Sequence, residues 1–300
     1  MSRGRSSGDG LGLVLAVRDY RQPVRAGADR VPVYGVAVSE VQLFLGDNVE
    51  VMRSMAAESV DLTITSPPYD NLRTYTGYTF DFQSTAAELF RLTKKGGVIV
   101  WVVGDQTTNG SETGTSFRQA LHFMDLGLNL HDTMIYETDK PPMTGNRYQA
   151  CFEYMFIFSK GQPKTFNALM IRSAKAGERR GGIRYRQENG ELKDQWHGGF
   201  YKPTTRRCAI WYYPSGGSEG SKDNAKFLHP ATFPDALARD HVLSWSNPGD
   251  TVLDPMVGSG TTGVACVQTN RNFIGIDISE EYLALAKRRI EEAQMQDTLL

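Results

Sequence analysis

Asp254-Pro255-Met256-Val257-Gly258-Ser259-Gly260-Thr261-Thr262-Gly263 follows the apolar run Thr251-Val252-Leu253 and leads into a helical stretch from about Thr262. The order is strand, glycine-rich turn, helix start. Glycines at such a turn let backbone approach a ligand where a Cβ would collide, and free N–H groups at a helix start favour an anionic or carboxylate-bearing partner. The next apolar run, Asn272-Phe273-Ile274-Gly275-Ile276, ends in Asp277, 19 positions after Gly258. A carboxylate at that place can accept both hydrogen bonds of a ribose diol. Loop and acid together indicate nucleoside recognition, although NAD sites, phosphate sites and plain tight turns share such a loop.

A second stretch narrows the choice. Ile64-Thr65-Ser66-Pro67-Pro68-Tyr69 also stands directly after apolar residues, Val60, Leu62 and Ile64. With both motifs at strand ends, the sequence resembles the amino-methylating DNA methyltransferases. Their Ser-Pro-Pro-Tyr or Asp-Pro-Pro-Tyr catalytic turn and glycine-rich cofactor loop match Ser66 to Tyr69 and Asp254 to Gly260. The order, catalytic turn first and cofactor loop last, is similar to the circularly permuted beta group. The resemblance covers most of residues 36–165 and 226–292.

It implies a Rossmann-like, S-adenosylmethionine-dependent α/β fold with a mostly parallel sheet and an inserted target-recognition segment. In open sheets of this kind ligands sit beyond the carboxyl ends of the strands, where both motifs belong. The expected organisation is a flexible N-terminal arm over 1–32 and a catalytic half over 33–160. A basic target-recognition insert over 161–226 and a cofactor-binding half over 227–300 complete it.

Composition agrees with a globular chain: 300 residues, 40% apolar and 22% charged, allow one large domain or one domain with an insertion. The formal net charge of −1 means that any basic footprint for a polyanion must be local. Cys151, Cys208 and Cys266 form no CxxC pair, which argues against a disulfide framework and a structural zinc site and fits a reducing cytoplasm. His229 has no companion ligand at metal spacing, so no metal is expected. The run Leu11 to Val17 is short and lacks a convincing cleavage site, and no apolar stretch reaches the roughly 20 residues needed to cross a bilayer.

In chain order, a strand from Val36 to Leu45 ends at Gly46-Asp47, and a helix over Asn48 to Ala57 returns the chain to the strand before Thr65. Asn71 to Phe82, rich in Thr and Tyr, suits a loop near a substrate. A helix over Thr85 to Leu92, closed by Lys94-Lys95-Gly96-Gly97, precedes the run Val98 to Val103. That run is expected to be a strand covered on both faces. Ser116 to Leu126 is a helix; Leu130 to Tyr136 and Phe152 to Phe158 are strands paired at one edge. Residues 160–226 break the alternation and read as an insert rather than more sheet. After Asp235 a helix directs Leu237 and Val242 inward. Ser279 caps a last helix, with Glu280 and Glu281 in its first turn and Lys287, Arg288 and Arg289 in later turns, in agreement with the helix dipole. Leu283, Ala286 and Ile290 form its buried stripe.

Residues 160–226 carry fourteen basic against six acidic residues, a local charge of +8. Phe166, Tyr185, Trp196, Phe200, Tyr201, Trp211, Tyr212 and Tyr213 are interleaved with the cations, as phosphate contact and base stacking require. Arg179, Arg180, Arg184, Arg186, Arg206 and Arg207 are the candidate DNA-binding residues.

An exocyclic amine is a poor nucleophile because its lone pair is delocalised into the ring, so acceptors must engage its N–H bonds. The Ser66 side chain and the Pro67 carbonyl suit this, because Pro67 and Pro68 disfavour helical backbone and remove competing donors. Tyr69 is expected to stack on a base flipped out of the duplex. No cysteine follows a proline, so the thiolate chemistry of carbon-5 methylation is not expected. By resemblance, Asp254, Pro255, Gly258, Ser259, Gly260 and Thr261 shape the cofactor pocket together with Thr65, Thr232 and Phe233, and Asp277 holds the ribose. Asp47 faces the adenine amine, caps the following helix, or does both.

Serine in the first catalytic position resembles the cytosine-N4 members, with adenine-N6 as the alternative. A non-catalytic DNA-binding regulator with this fold is the rival of another class. Methylation of a protein amide disagrees with both Ser66 and the motif order. The expected cofactor is S-adenosyl-L-methionine and the expected partner is double-stranded DNA, with no membrane. The chain is expected to act as a monomer or homodimer, with room for a cognate restriction endonuclease.

Overall fold

A computed structural model describes residues 39–68, 80–139, 146–196, 198–214 and 234–297. The arm over 1–32, the Tyr69 position, His229, Thr232 and Phe233 lie outside these described residues.

The chain opens with strand β1 (Val41–Leu45), helix α1 (Asn48–Ser54), β2 (Val60–Thr65), α2 (Phe82–Leu92) and β3 (Thr93–Val103). The short strands β4 (Thr107–Thr108) and β5 (Ser111–Glu112), then α3 (Thr115–Asp125), β6 (Asn129–Glu137) and β7 (Phe152–Ser159), follow. Next come β8 (Met170–Arg172), β9 (Gly182–Arg186), β10 (Leu192–Trp196), β11 (Thr204–Arg206) and β12 (Ile210–Tyr212). The chain closes with α4 (Asp235–Trp245), β13 (Thr251–Asp254), α5 (Thr261–Val267), β14 (Asn272–Asp277) and α6 (Glu280–Asp297).

Eight strands form one sheet in the order β1-β14-β13-β2-β3-β7-β6-β12, with β7 antiparallel to both neighbours and the other pairings parallel. The late strand β13 therefore lies against the early strand β2, and the permuted chain order closes up in space. Alternate residues of β3 face opposite cores. Val98, Val100 and Val102 join the apolar layer under α4, α5 and α6, whereas Ile99, Trp101 and Val103 join that under α1, α2 and α3. Burial on both faces is why this run reads as continuously apolar.

Two expectations are corrected. Lys94-Lys95-Gly96-Gly97 does not close α2; it lies within β3, where the register against β2 shifts between Val60 and Leu62. Gly96 takes φ +80° there, and the Lys94 ammonium meets Asp61 at 2.6 Å. The insert is not free of the sheet, because Ile210–Tyr212 pairs in parallel with β6 as the edge strand. Trp211 and Tyr213 are consequently buried in the main core instead of being available for base stacking. Between these points the insert folds on itself as two antiparallel pairs, β8 with β11 and β9 with β10.

Candidate active site

The carboxyl ends of β1, β14, β13 and β2 are consecutive along one sheet edge, which brings Asp47, Asp277, Asp254 and Ser66 to that edge from four places in the chain. Thr65 and Asp254 are the join between the two motifs. The Thr65 hydroxyl donates to Asp254 Oδ1 at 2.9 Å, and the Thr262 hydroxyl donates to Oδ2 at 2.9 Å. The Met256 amide adds a third bond to Oδ1 at 3.2 Å. Asp254 is 2% exposed, and both threonines are fully buried. One carboxylate thus ties the last residue of β2, the glycine-rich turn and the first turn of α5 together, one residue before Ser66. Burial, opposed by these three bonds, pushes the Asp254 carboxyl up to about 6. Thr65 and Asp254 hold the loop in place from below, so their part in the expected cofactor pocket is positional.

The glycines divide by task. Gly258 is left-handed at φ +50°, and its N–H donates to Asp277 Oδ2 at 2.8 Å. Gly260, at φ +81°, has no room for a side chain because a Cβ would lie 2.8 Å from the Ala286 Cα. At Gly263 a Cβ would meet Ile290 and Phe273. At these two glycines the missing side chain leaves room for helix α6 and strand β14. Pro255, Ser259 and Thr261 are buried as well. The Ser259 carbonyl accepts from Arg289 Nη1 at 2.5 Å, and Arg289 reaches Asp235 at 3.3 Å.

Sequence places Arg289 among the dipole-matching charges of α6, but it is 4% exposed and braces the loop from behind. Its place three residues after Ala286 on the buried stripe is the available signal. The rest of that helix follows expectation: the Ser279 hydroxyl accepts from the Tyr282 amide at 3.3 Å, and Ala286 and Ile290 are buried.

Asp277 accepts from the Gly258 amide through Oδ2 and from the Ser279 amide through Oδ1 at 2.9 Å, which fixes its carboxylate while leaving it half-buried. On the neighbouring strand Asp47 caps α1, taking the Val49 and Glu50 amides on Oδ1 at 2.9 and 3.0 Å. Its second oxygen takes no part in the cap. The Gly46 amide bonds the Asp277 carbonyl at 2.9 Å, so the two acids stand side by side. The apolar side chains of Leu45 and Ile278 beside them are exposed. Two anchored carboxylates flanked by open apolar surface fit a nucleoside: diol or amine donors meet the acids, and the flat base meets the apolar groups.

The insert arginines are not equivalent. Arg207 is removed from the expected DNA-binding set, because it pairs with Asp240 at 2.7 Å, hydrogen-bonds Tyr213 and lies over the rings of Trp211 and Tyr213. Next to this group, His241 is fully buried against Trp211, and burial with the nearby Arg207 charge lowers it to about 3. Arg184 is held by Asp194 across the β9–β10 ribbon at 2.7 and 3.1 Å. Arg186 donates to the Gly190 carbonyl, Arg180 stacks on Tyr201, and Arg206 covers Phe166. Arg179, Arg180, Arg184, Arg186 and Arg206 are all exposed.

A site at this edge, with the Ser-Pro-Pro turn joined through Thr65 to the glycine-rich loop, fits an α/β methyltransferase, and comparison with known proteins agrees. The family model described as DNA methylase, covering N6 and N4 methyltransferases, matches residues 60–288, and the chain belongs to this family. The orphan methyltransferase M.BamHII of Bacillus amyloliquefaciens is 52% identical over 236 residues, 78% of this chain and 89% of that protein. The type II methyltransferase M.SmaI of Serratia marcescens is 27% identical, with 83% and 90% covered. Among solved structures, the putative DNA modification methylase TTHA0409 of Thermus thermophilus, complexed with S-adenosyl-L-methionine, superposes with a TM-score of 0.57 at 25% identity. That match covers 84% of this chain and 93% of the other. The chain is therefore a site-specific DNA methyltransferase of the N4/N6 amino-methylating family, and its cofactor is S-adenosyl-L-methionine.

Proposed function

We propose that the enzyme methylates the exocyclic N4 amine of cytosine in a base flipped out of double-stranded DNA. The observation that carries this reading is the Thr65–Asp254 bond, which fixes the Ser-Pro-Pro corner against the cofactor loop. S-adenosylmethionine, when bound, supplies a methyl group already activated on a sulfonium. The protein's task is then to orient the amine and localise its lone pair. Ser66 Oγ and the Pro67 carbonyl accept the two amine hydrogens, and Tyr69 stacks on the base. Asp277 takes the ribose diol and Asp47 the adenine amine, with Leu45 and Ile278 against the ring. Thr232 and Phe233 belong to the same cleft by resemblance. The preference for cytosine rests on serine at position 66.

Exposed cations of the insert, Arg179, Arg180, Arg184, Arg186 and Arg206, contact phosphates, with the β9–β10 ribbon sized for a major groove. The test is incubation with S-adenosylmethionine and mixed-sequence DNA, followed by nucleoside mass spectrometry. N4-methylcytosine is expected; N6-methyladenine would transfer the same mechanism to adenine and overturn the choice of base.

A further inference from the structure

The strand β7 enters the sheet at its carboxyl edge, because it runs antiparallel to β3 with Tyr154 beside Val103. Residues 146–151, which lead into it, therefore enter on the same edge as Ser66, two strands away, at a lateral spacing of about 10 Å where they meet the strand. The base of this loop is closed by the Thr138 amide bonding the Cys151 carbonyl at 2.8 Å. Arg147 fastens it to the β4–β5 hairpin, which rises from the same edge after β3: one guanidinium nitrogen donates to the Gly110 carbonyl and another lies 3.8 Å from Glu112. Directly after this fastening comes Tyr148, which is 100% exposed, more than any other large apolar side chain among the described residues. Arg147 ties the neighbouring residue to the hairpin, while the Tyr148 ring has no contact among the described residues.

A base that leaves the duplex takes its stacking with it and leaves a hole opposite an orphaned partner, and enzymes that flip bases compensate with inserted or stacked side chains. An exposed ring on the same sheet edge as the Ser66 corner has the shape and chemistry for that hole. Resting on the reading that the target base is flipped into the Ser66 corner, we infer that Tyr148 is the wedge that fills the vacated place in the duplex and stacks on the orphaned base. Tyr148 is thus a positioning residue that acts through the DNA and not on the reacting atoms.

The test uses the full chain and a duplex carrying the sequence that the wild-type enzyme methylates. It compares wild type, Tyr148→Ala and Tyr148→Trp on a matched duplex and on one with an abasic site opposite the target, where flipping costs less and no orphaned base remains. Base–aromatic stacking sets the expected loss for Tyr148→Ala on the matched duplex at roughly five- to 150-fold in kcat/KM. Tyr148→Trp should stay within a few fold, and Tyr148→Ala should return to within a few fold of wild type on the abasic duplex. Cofactor affinity should not change. Unchanged activity of Tyr148→Ala on the matched duplex, or an equal loss on both duplexes, would overturn the wedge while leaving the methyltransferase reading intact. Failure of the wild type itself to modify any duplex would instead overturn the reading beneath it.

Discussion

Replacing Thr65 by valine removes one hydroxyl from the join between the two motifs and preserves shape. In the wild type that hydroxyl donates at 2.9 Å to a carboxylate that is 2% exposed and has, among the described residues, Thr262 and Met256 as further donors. A hydrogen bond to a buried charged group contributes about 1.5–3 kcal/mol, so the variant should lose about 2 kcal/mol, or roughly 3 °C in Tm for a chain of this size. The loss has a pH signature. Burial raises the Asp254 carboxyl to about 6, so its contribution favours the folded state fully below the usual carboxylate range and fades as pH rises through 6. Above pH 6 the buried charge depends on its donors, and below it the protonated acid needs fewer of them. Thermal unfolding at pH 8 should show the full deficit of Thr65→Val, and unfolding near pH 5 a much smaller one. An equal deficit at both pH values, or none at pH 8, would refute the view that this hydroxyl supports a buried charge.

Two other perturbations probe separate parts of the account. Gly260→Ala should lower stability by at least about 1–3 kcal/mol, because the new methyl meets α6 backbone and the residue sits at positive φ; unchanged chemical denaturation would contradict the packing role given to this glycine. Arg180→Gln should weaken DNA binding evenly across sequences and reduce the slope of log affinity against log salt by about 0.9 if the side chain neutralises one phosphate. An unchanged slope would take Arg180 out of the DNA interface.

The parts of this molecule that announce themselves in sequence are those whose cause is local. Val98 to Val103 reads as a two-sided strand because every residue of the run is apolar, and both motifs stand out because glycine and proline mark turns. What cannot be read depends on partners distant in the chain. Arg207 looks like any other cation of a basic insert until Asp240, 33 positions later, claims it. The same fold-back buries Trp211 and Tyr213, which as a three-residue strand and its neighbour offer too short a pattern to be distinguished from stacking aromatics. That a Cβ at Gly260 or Gly263 would meet α6 is equally hidden in the sequence, because only the path of that helix reveals it. Thr65 reads in sequence as a cofactor contact, whereas its partner is the loop's own aspartate.

The central claim, that the Ser-Pro-Pro corner performs the chemistry at a site whose cofactor is held separately by the loop bonded beneath it, is tested most directly with Ser66→Ala. Calorimetric affinity for S-adenosylmethionine and the single-turnover rate of methyl transfer to DNA are measured on the same preparation. Affinity within a few fold of wild type and a collapse of the rate are expected. Loss of both together, or retention of both, would contradict it.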